Sequence, residues 1–556
     1  MFRLGVAAVL LLSSFVLRPS SLQSQQTRAE RSAYTETSSY ADVITFLDSL
    51  QKVAPVSFVR GELGRTTQGK VLPYVIAARP LVRTPAEARA SGKPVVYVQG
   101  NIHGGEVEGK ESLQAILRDL LTDRRANVLD SIVLIAVPIY NGDGNDALGP
   151  QQRMRGSQNG PEQVGNRANG QQLDLNRDYI KAEAPETMAS LRMFVLWDPH
   201  VFVDLHTTNG SYHGYALTYS PSLHPAAMDP VLAPAGAWTR DTLLPAVRAR
   251  ARAKGVETFD YGNFIGEFAG RDDPTSLRKG GWETYEHKPR FGTNYYGLRN
   301  RVSVLSEAYS HDPFQRRVEA TTVFVRELLS LVAEQRATVL ARTAGAATAA
   351  ARAASSSPST SPSVAIRAEM TKSPFRAPIL VEALEATGDS VRYEAGLRPG
   401  LKRTHRFTAV EMPVYDRFDA TRARALPSGW VIANPDSALL ARLAYHGLEL
   451  SEIAGGSLRL RGERFVVDSI VRAPRPFQGH QEVLLEGRWE PTEIALEAGS
   501  YYIRADQPLA LLAAILLEPE SDDGLTTWNF FDPALSVGSP HPVRRILAPL
   551  PPRPAR

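Results

Sequence analysis

An imidazole and a carboxylate stand three residues apart in His103-Gly104-Gly105-Glu106, directly after the apolar run Pro94-Val95-Val96-Tyr97-Val98-Gln99-Gly100. The pattern predicts a strand turning into a helix. Residues i and i+3 share a face at a helix start, so both side chains can converge on one point. A nitrogen and an oxygen donor meeting there suit a zinc ion, provided another ligand arrives from elsewhere. His206, at the end of Val201-Phe202-Val203-Asp204-Leu205, is the candidate, and a third apolar run, Val302-Ser303-Val304-Leu305, leads into Glu307. A His-x-x-Glu pair by itself is often a solvated pair on an exposed helix. Here the ionisable residues fall at the carboxyl ends of buried strands, where open α/β sheets place their chemistry. The chain has no cysteine, so no thiolate can contribute and the ligands must be His, Asp or Glu.

These residues need elements to position them. Residues 35–53 read as an amphipathic lead-in helix, and 58–78 alternate like a hairpin turning at Thr66-Thr67-Gln68-Gly69. Strand 94–99 is followed by the His-Gly-Gly-Glu turn and a helix to about Leu121. Residues 132–139 are a near-continuous β-branched run, as in a strand buried on both faces. Residues 141–177 are rich in Gly, Asn and Gln and read as a long loop of the kind that is often functional. Strands 201–205 and 302–306 follow, then a helix over 315–337. The expected fold is α/β, a mixed, mostly parallel sheet flanked by helices, over residues 35–338. Residues 339–365, dominated by Ala, Ser, Thr and Pro, read as a linker, whose Ala-rich first half can extend the preceding helix. Residues 366–535 read as short β segments, a β-rich accessory domain, and 536–556 as an extended Pro/Arg-rich tail.

The N-terminus reads as a targeting segment. Met1-Phe2-Arg3 supplies the positive start, residues 4–17 an apolar core and Ser20 to Gln26 a polar end. A signal peptide over 1–26 and an exported, periplasmic or secreted protein are expected, with no stable membrane span after cleavage. The cleavage region lacks a clean small-x-small pattern, so an uncleaved anchor is the alternative. The net charge is +4 over 556 residues with no basic stripe, which gives no footprint for nucleic acid.

The motifs together resemble the zinc carboxypeptidase family that includes carboxypeptidase A. They occur in that family's order: Gly100 to Glu106 as the first metal motif, Asn141-Gly142-Asp143-Gly144 as its turn, Leu173-Asp174-Leu175-Asn176-Arg177-Asp178 as its substrate motif, Asp204-Leu205-His206 as the strand of the last ligand and Leu305-Ser306-Glu307-Ala308-Tyr309 as the strand of the catalytic Glu. The resemblance covers residues 35–335. It implies one Zn²⁺ held by His103, Glu106 and His206, with a fourth position left for water. It implies Glu307 as general base, Arg167 as the charge that stabilises the oxyanion, and Asn176 and Arg177 as the grip on the substrate's terminal carboxylate. Arg153 and Arg155 are rivals of Arg167 in the same loop. Tyr285 is the candidate for the family's mobile substrate-binding tyrosine, with Tyr295 and Tyr296 as rivals. Residues 290–299 are expected to line the substrate pocket. Asp204, two residues upstream, is a candidate for orienting His206, and His200 for capping a strand. His213, His224, His287 and His311 read as polar loop residues.

The expected activity is that of an exported metallocarboxypeptidase acting on peptide or protein C-termini. Two alternatives stand beside it: a cell-wall peptide or amide hydrolase on the same scaffold, and a peptide-binding module without catalysis.

Overall fold

Eight strands build the central sheet: β1 (Phe58–Arg65), β2 (Val71–Ala77), β3 (Val95–Gly100), β4 (Val133–Val137), β5 (Val201–Thr207), β6 (Leu217–Pro221), β7 (Thr258–Asp260) and β8 (Val302–Ala308). Every residue of β3, β4, β5 and β8 is buried, as apolar runs covered on both faces must be. The spatial order is β1-β2-β4-β3-β5-β8-β6-β7. The four middle strands are parallel, β1 and β2 form the antiparallel hairpin at one edge, and β6 pairs antiparallel with β8. The sheet is therefore mixed, with a parallel centre. This computed structural model describes residues 25–265, 280–355, 363–387, 400–454 and 459–547. The proposed signal peptide lies outside them as far as residue 24.

One face of the sheet is covered by α1 (Tyr40–Val53), α2 (Glu108–Thr122) and α5 (Phe314–Glu334), with α3 (Pro185–Trp197) and α4 (Gly292–Leu298) on the other. Helix α1 begins five residues later than its amphipathic pattern predicted. Ser39 supplies the reason: its Oγ accepts from the Asp42 N–H (3.1 Å), and the Asp42 carboxylate accepts from the Ser39 N–H (3.0 Å), a reciprocal cap that fixes the start.

In the first turn of α3, Glu186 is wholly buried. Asn169 Nδ2 donates to one carboxyl oxygen at 3.1 Å and the other lacks a hydrogen-bond partner. Burial, with the nearby Asp143 and Asp178 charges, pushes this carboxyl up to about 7. An acid whose folded value is raised loses its proton first in the unfolded chain, so stability falls as pH rises from about 4.5 to about 7. We expect Glu186→Gln to be more stable than the parent by on the order of 2–3 kcal/mol at pH 8 and equal to it at pH 4. Urea unfolding at the two pH values measures this, and a gap that does not change with pH contradicts it.

Two boundary expectations need correction. Residues 339–365 are not a linker throughout. Helix α6 (Arg336–Ser355) takes up the Ala-rich half, in keeping with the high helix propensity of alanine, and the strand Ser363–Thr371 begins before residue 366. Residues 356–362 lie outside the described ones. The tail is not extended chain throughout either. Pro540–Ile546 is an inner strand of a six-stranded antiparallel sheet, between Gly429–Ile432 and Arg459–Arg472. Its buried Val543 and Ile546 explain the inclusion.

The C-terminal half is β-rich as expected, yet it shares its core with the first half. Phe194, Phe202 and Tyr296 belong to one contiguous apolar cluster with Trp430, Leu443, Ile503 and Trp528. The cluster also takes in α7 (Ala510–Leu517), an apolar helix buried at every residue. A helix apolar all round has no solvent face to offer, so it must be enclosed. The two halves therefore share one continuous apolar core.

Candidate metal centre

The ligand turn is built by its own backbone. Asn101 follows β3 with φ at +65°, a left-handed conformation that asparagine tolerates. Its Nδ2 donates to the carbonyls of His103, Gly104 and Glu106 at 3.1–3.3 Å, pulling the chain into a tight curl. At Gly104 a β-carbon would lie 2.3 Å from the backbone of Gly144, so only glycine fits. His103 and Glu106 do not lie on α2, which begins at Glu108. A turn closed by the Glu106 N–H on the His103 carbonyl (3.0 Å) brings them together. The third residue arrives by sheet register. β5 lies beside β3, placing His206 next to the turn, and Glu307 of β8 is the direct register partner of His206.

His103, Glu106 and His206 bring ligand atoms within 4.8 Å of one another, all buried. Each imidazole turns one nitrogen to Glu106 and the other to a second carboxylate. His103 Nδ1 lies 2.9 Å from Glu106 Oε1 and its Nε2 3.0 Å from Asp174 Oδ1. His206 Nδ1 lies 3.0 Å from Glu106 Oε2, and its Nε2 is 3.0 Å from Asp204 Oδ2, an ion-pair contact rather than an aligned hydrogen bond. Asp204 reaches His206 because residues i and i+2 of a strand point to the same face. A carboxylate behind each imidazole fixes its orientation, the usual support for a ligating histidine.

The electrostatics follow. Burial alone would raise Glu106, but the His103 and Arg155 charges and hydrogen bonds from both histidines hold it well below the usual carboxylate range. Burial would lower His206, and Asp204 and Glu106 instead hold it well above the ordinary imidazole value. Asp174 is likewise held well below its usual value against burial, by His103, Arg167 and Arg177. Two imidazoles and a carboxylate held in its charged form, gathered in one buried cluster, are a donor set that a dication can occupy. Two nitrogens and one oxygen suit zinc with a position to spare. The residues fit the ion.

The cluster opens into a cavity of about 320 Å³. Among its lining are Glu307, Arg167, Asn176, Arg177 and Tyr285, so these five candidates meet the metal cluster in one place. Glu307 is nearly buried and its Oε2 has no hydrogen-bond partner among the described residues. Burial pushes its carboxyl up to about 8, His206 opposing and the Glu106 charge adding to the rise. Arg167 donates from Nε to Asp174 Oδ2 (3.0 Å) and leaves over a third of its side chain exposed. Its rival Arg155 is pinned instead: Nη1 donates to Glu106 Oε1 (2.7 Å) and Nη2 to the carbonyls of Thr207 and Thr208. Asn176 Oδ1 accepts from the Gly292 N–H (2.9 Å). The Arg177 guanidinium stacks 3.9 Å over the Phe291 ring, with Nη1 donating to the Asn176 carbonyl (2.9 Å). Tyr285 is half-buried, its hydroxyl 3.4 Å from Asn294 Oδ1.

Other expectations are sorted by burial. Tyr295 and Tyr296, rivals of Tyr285, are wholly buried in the core and out of the cavity. Of residues 290–299, Phe291 and Thr293 line the cavity, whereas Arg290 turns away to Asp523 and Glu482. His213, His224, His287 and His311 are not surface residues: all four are buried, and none joins the metal cluster. His200 does cap, its Nδ1 accepting from the Val95 N–H (3.1 Å). Asp174, behind His103, and Tyr261 and Met370, in the cavity wall, are functional residues beyond those expected from sequence. Asp174 carried a signal, an acid inside the substrate motif. Met370, far along the chain, carried none.

Residues 43–227 match the family model described as zinc carboxypeptidase. That stretch holds His103, Glu106, Arg167, Asn176, Arg177 and His206 and ends before Tyr285 and Glu307. Carboxypeptidase 2 of Trichophyton tonsurans is 22% identical over 499 residues, covering 87% of this chain and 81% of its own. Carboxypeptidase 2 of Trichophyton rubrum is 21% identical with the same coverage. Among solved structures, a metallo-carboxypeptidase from Burkholderia cenocepacia is 17% identical, covers 53% of this chain and 69% of its own, and superposes with a TM-score of 0.38. Over residues 43–227, with both histidines and the glutamate of the cluster inside the match, this chain is similar to the zinc carboxypeptidase family.

Proposed function

We propose that the protein is an exported zinc metallocarboxypeptidase that removes residues from peptide C-termini. One observation carries the reading: the His103, Glu106, His206 cluster, the unpartnered Glu307 oxygen and the Asn176–Arg177 pair share one cavity. His103, Glu106 and His206 would hold the ion. Bound there, zinc polarises a carbonyl and lowers the pKa of water.

The chain's own residues do the rest. Arg177 and Asn176 bind the terminal carboxylate, a planar fork meeting a planar anion. That grip places the last peptide bond next to Glu307, and an internal bond offers no carboxylate for it. Glu307 takes the proton of the attacking water and delivers it to the leaving amine. Arg167, held by Asp174 yet open to the cavity, points fixed positive charge at the oxygen that becomes negative. Asp174 and Asp204 hold the two imidazoles in place.

Export rests on the N-terminal segment, where a basic start precedes residues 4–17 and a polar stretch. Among the described residues no helix is long and apolar enough to cross a membrane.

The test is a digest of peptides of defined sequence by the purified full chain, read by mass spectrometry. Stepwise loss of C-terminal residues is expected, abolished by a zinc chelator and restored by added zinc. Internal cleavage, or release that the chelator leaves intact, overturns the reading.

A further inference from the structure

The cavity has a wall from the other half of the chain. Met370, on the strand Ser363–Thr371, lines the same cavity as Glu307 and Arg177. Leu305 lines it too, two residues before Glu307 on β8 and so on the same face of that strand. Phe291, under the Arg177 guanidinium, adds a third apolar side chain. A substrate whose carboxylate is gripped at Arg177 and whose last peptide bond lies at Glu307 must put its final side chain among these groups.

The wall is fixed. The short strand Trp282–Glu283 joins the cavity-lining loop to the C-terminal sheet by pairing with Val414 and Tyr415. The Asp523 carboxylate accepts from the Arg290 backbone N–H (2.7 Å) and from its Nε (2.8 Å), while Glu482 takes both terminal nitrogens (2.7 and 3.1 Å). Asp523 and Arg290 are both buried, so this clamp is shielded from solvent screening. Nearer the metal turn, Gln478 Oε1 accepts from the Asp174 N–H at 2.8 Å. A wall held this way keeps its shape when substrate arrives.

We propose that the C-terminal β-rich half completes the pocket for the substrate's last side chain, that Met370 is its specificity-determining residue, and that the pocket selects an apolar side chain; this rests on the carboxypeptidase reading above. The cavity also has carboxylates, Glu283 and Glu286, but both are exposed at its edge. Solvated charge gives little pull on a basic side chain. Methionine, unbranched and polarisable, fits several apolar shapes.

The experiment uses the full chain and N-acylated dipeptides ending in Ala, Leu, Phe, Trp, Lys or Glu. The parent is expected to favour Leu and Phe over Lys and Glu. Met370→Ala should raise kcat/KM for Trp relative to Leu by about tenfold, and Met370→Trp should lower Phe relative to Ala by a similar factor, the discrimination that a few methylenes of pocket volume provide. Ratios within one variant are independent of how much of it is folded. Parental ratios in both variants, or a parent that prefers Lys, overturn the proposal while leaving the peptidase reading intact. A parent that cleaves none of the six refutes the peptidase reading itself.

Discussion

Glu307→Gln is expected to lower kcat by about 10³-fold while the protein keeps its zinc and its fold. The size follows from the role. Glutamine has the shape of glutamate but cannot carry a proton from water to a leaving amine, and general acid–base transfer by a positioned side chain contributes in this range. Zinc retention follows because Glu307 lies outside the three-residue cluster. The fold is retained because Glu307 Oε2 makes no hydrogen bond among the described residues that an amide would break. Replacing a buried carboxyl already pushed up to about 8 also removes a group that burial disfavours in its charged form. Steady-state kinetics on one peptide, metal analysis and thermal unfolding of the same preparation test the claim together. Turnover at the parent's rate refutes the assignment of Glu307. Loss of zinc would place it among the ligands instead.

Much of this site was legible before the structure because it is written in local signals. Strands β3, β5 and β8 are largely apolar, valine-rich and wholly buried, and His103 follows the carboxyl end of the first while His206 and Glu307 lie near those of the others. Register then does the rest, since parallel pairing of β5 with β8 sets Glu307 beside His206. Non-local facts were not legible. Periodicity gives no hint that Asp174 would back His103, or that Arg155 would be spent on Glu106 and the Thr207–Thr208 carbonyls. His103 and Glu106 converge as a shared helix face would bring them, but both precede the helix. A turn held by Asn101 does what the first helical turn was expected to do.

The C-terminal half shows the limit most clearly. Composition marks residues 339–365 as a linker and also allows their alanine-rich half to be helical, since alanine is the best helix former, and the helix runs to Ser355. The buried ion pairs that tie the halves together, Arg290 with Asp523 and Glu482, join residues some two hundred positions apart. No window of sequence contains both partners. Met370 enters the cavity by the same non-local route.

Arg177→Ala should cut kcat/KM for peptides with a free C-terminus by about 10²–10³-fold, the range expected when one partner of a desolvated, hydrogen-bonded charge pair is lost. The same variant should handle C-terminally amidated peptides as poorly as the parent does, because an amide offers no anion for the guanidinium to meet. The comparison isolates the carboxylate. Loss on both substrate types would instead mean that Arg177 acts by shaping the cavity, through its stack on Phe291 and its bond to the Asn176 carbonyl. Removing the arginine does not strand its neighbour, since Asp174 keeps Arg167 at 2.9–3.0 Å and His103 at 3.0 Å, whereas Arg177 stands 4.0 Å away. Arg177→Lys should recover only part of the loss. An ammonium restores the charge but lacks both the planar fork that matches a carboxylate and the flat face that lies on the Phe291 ring.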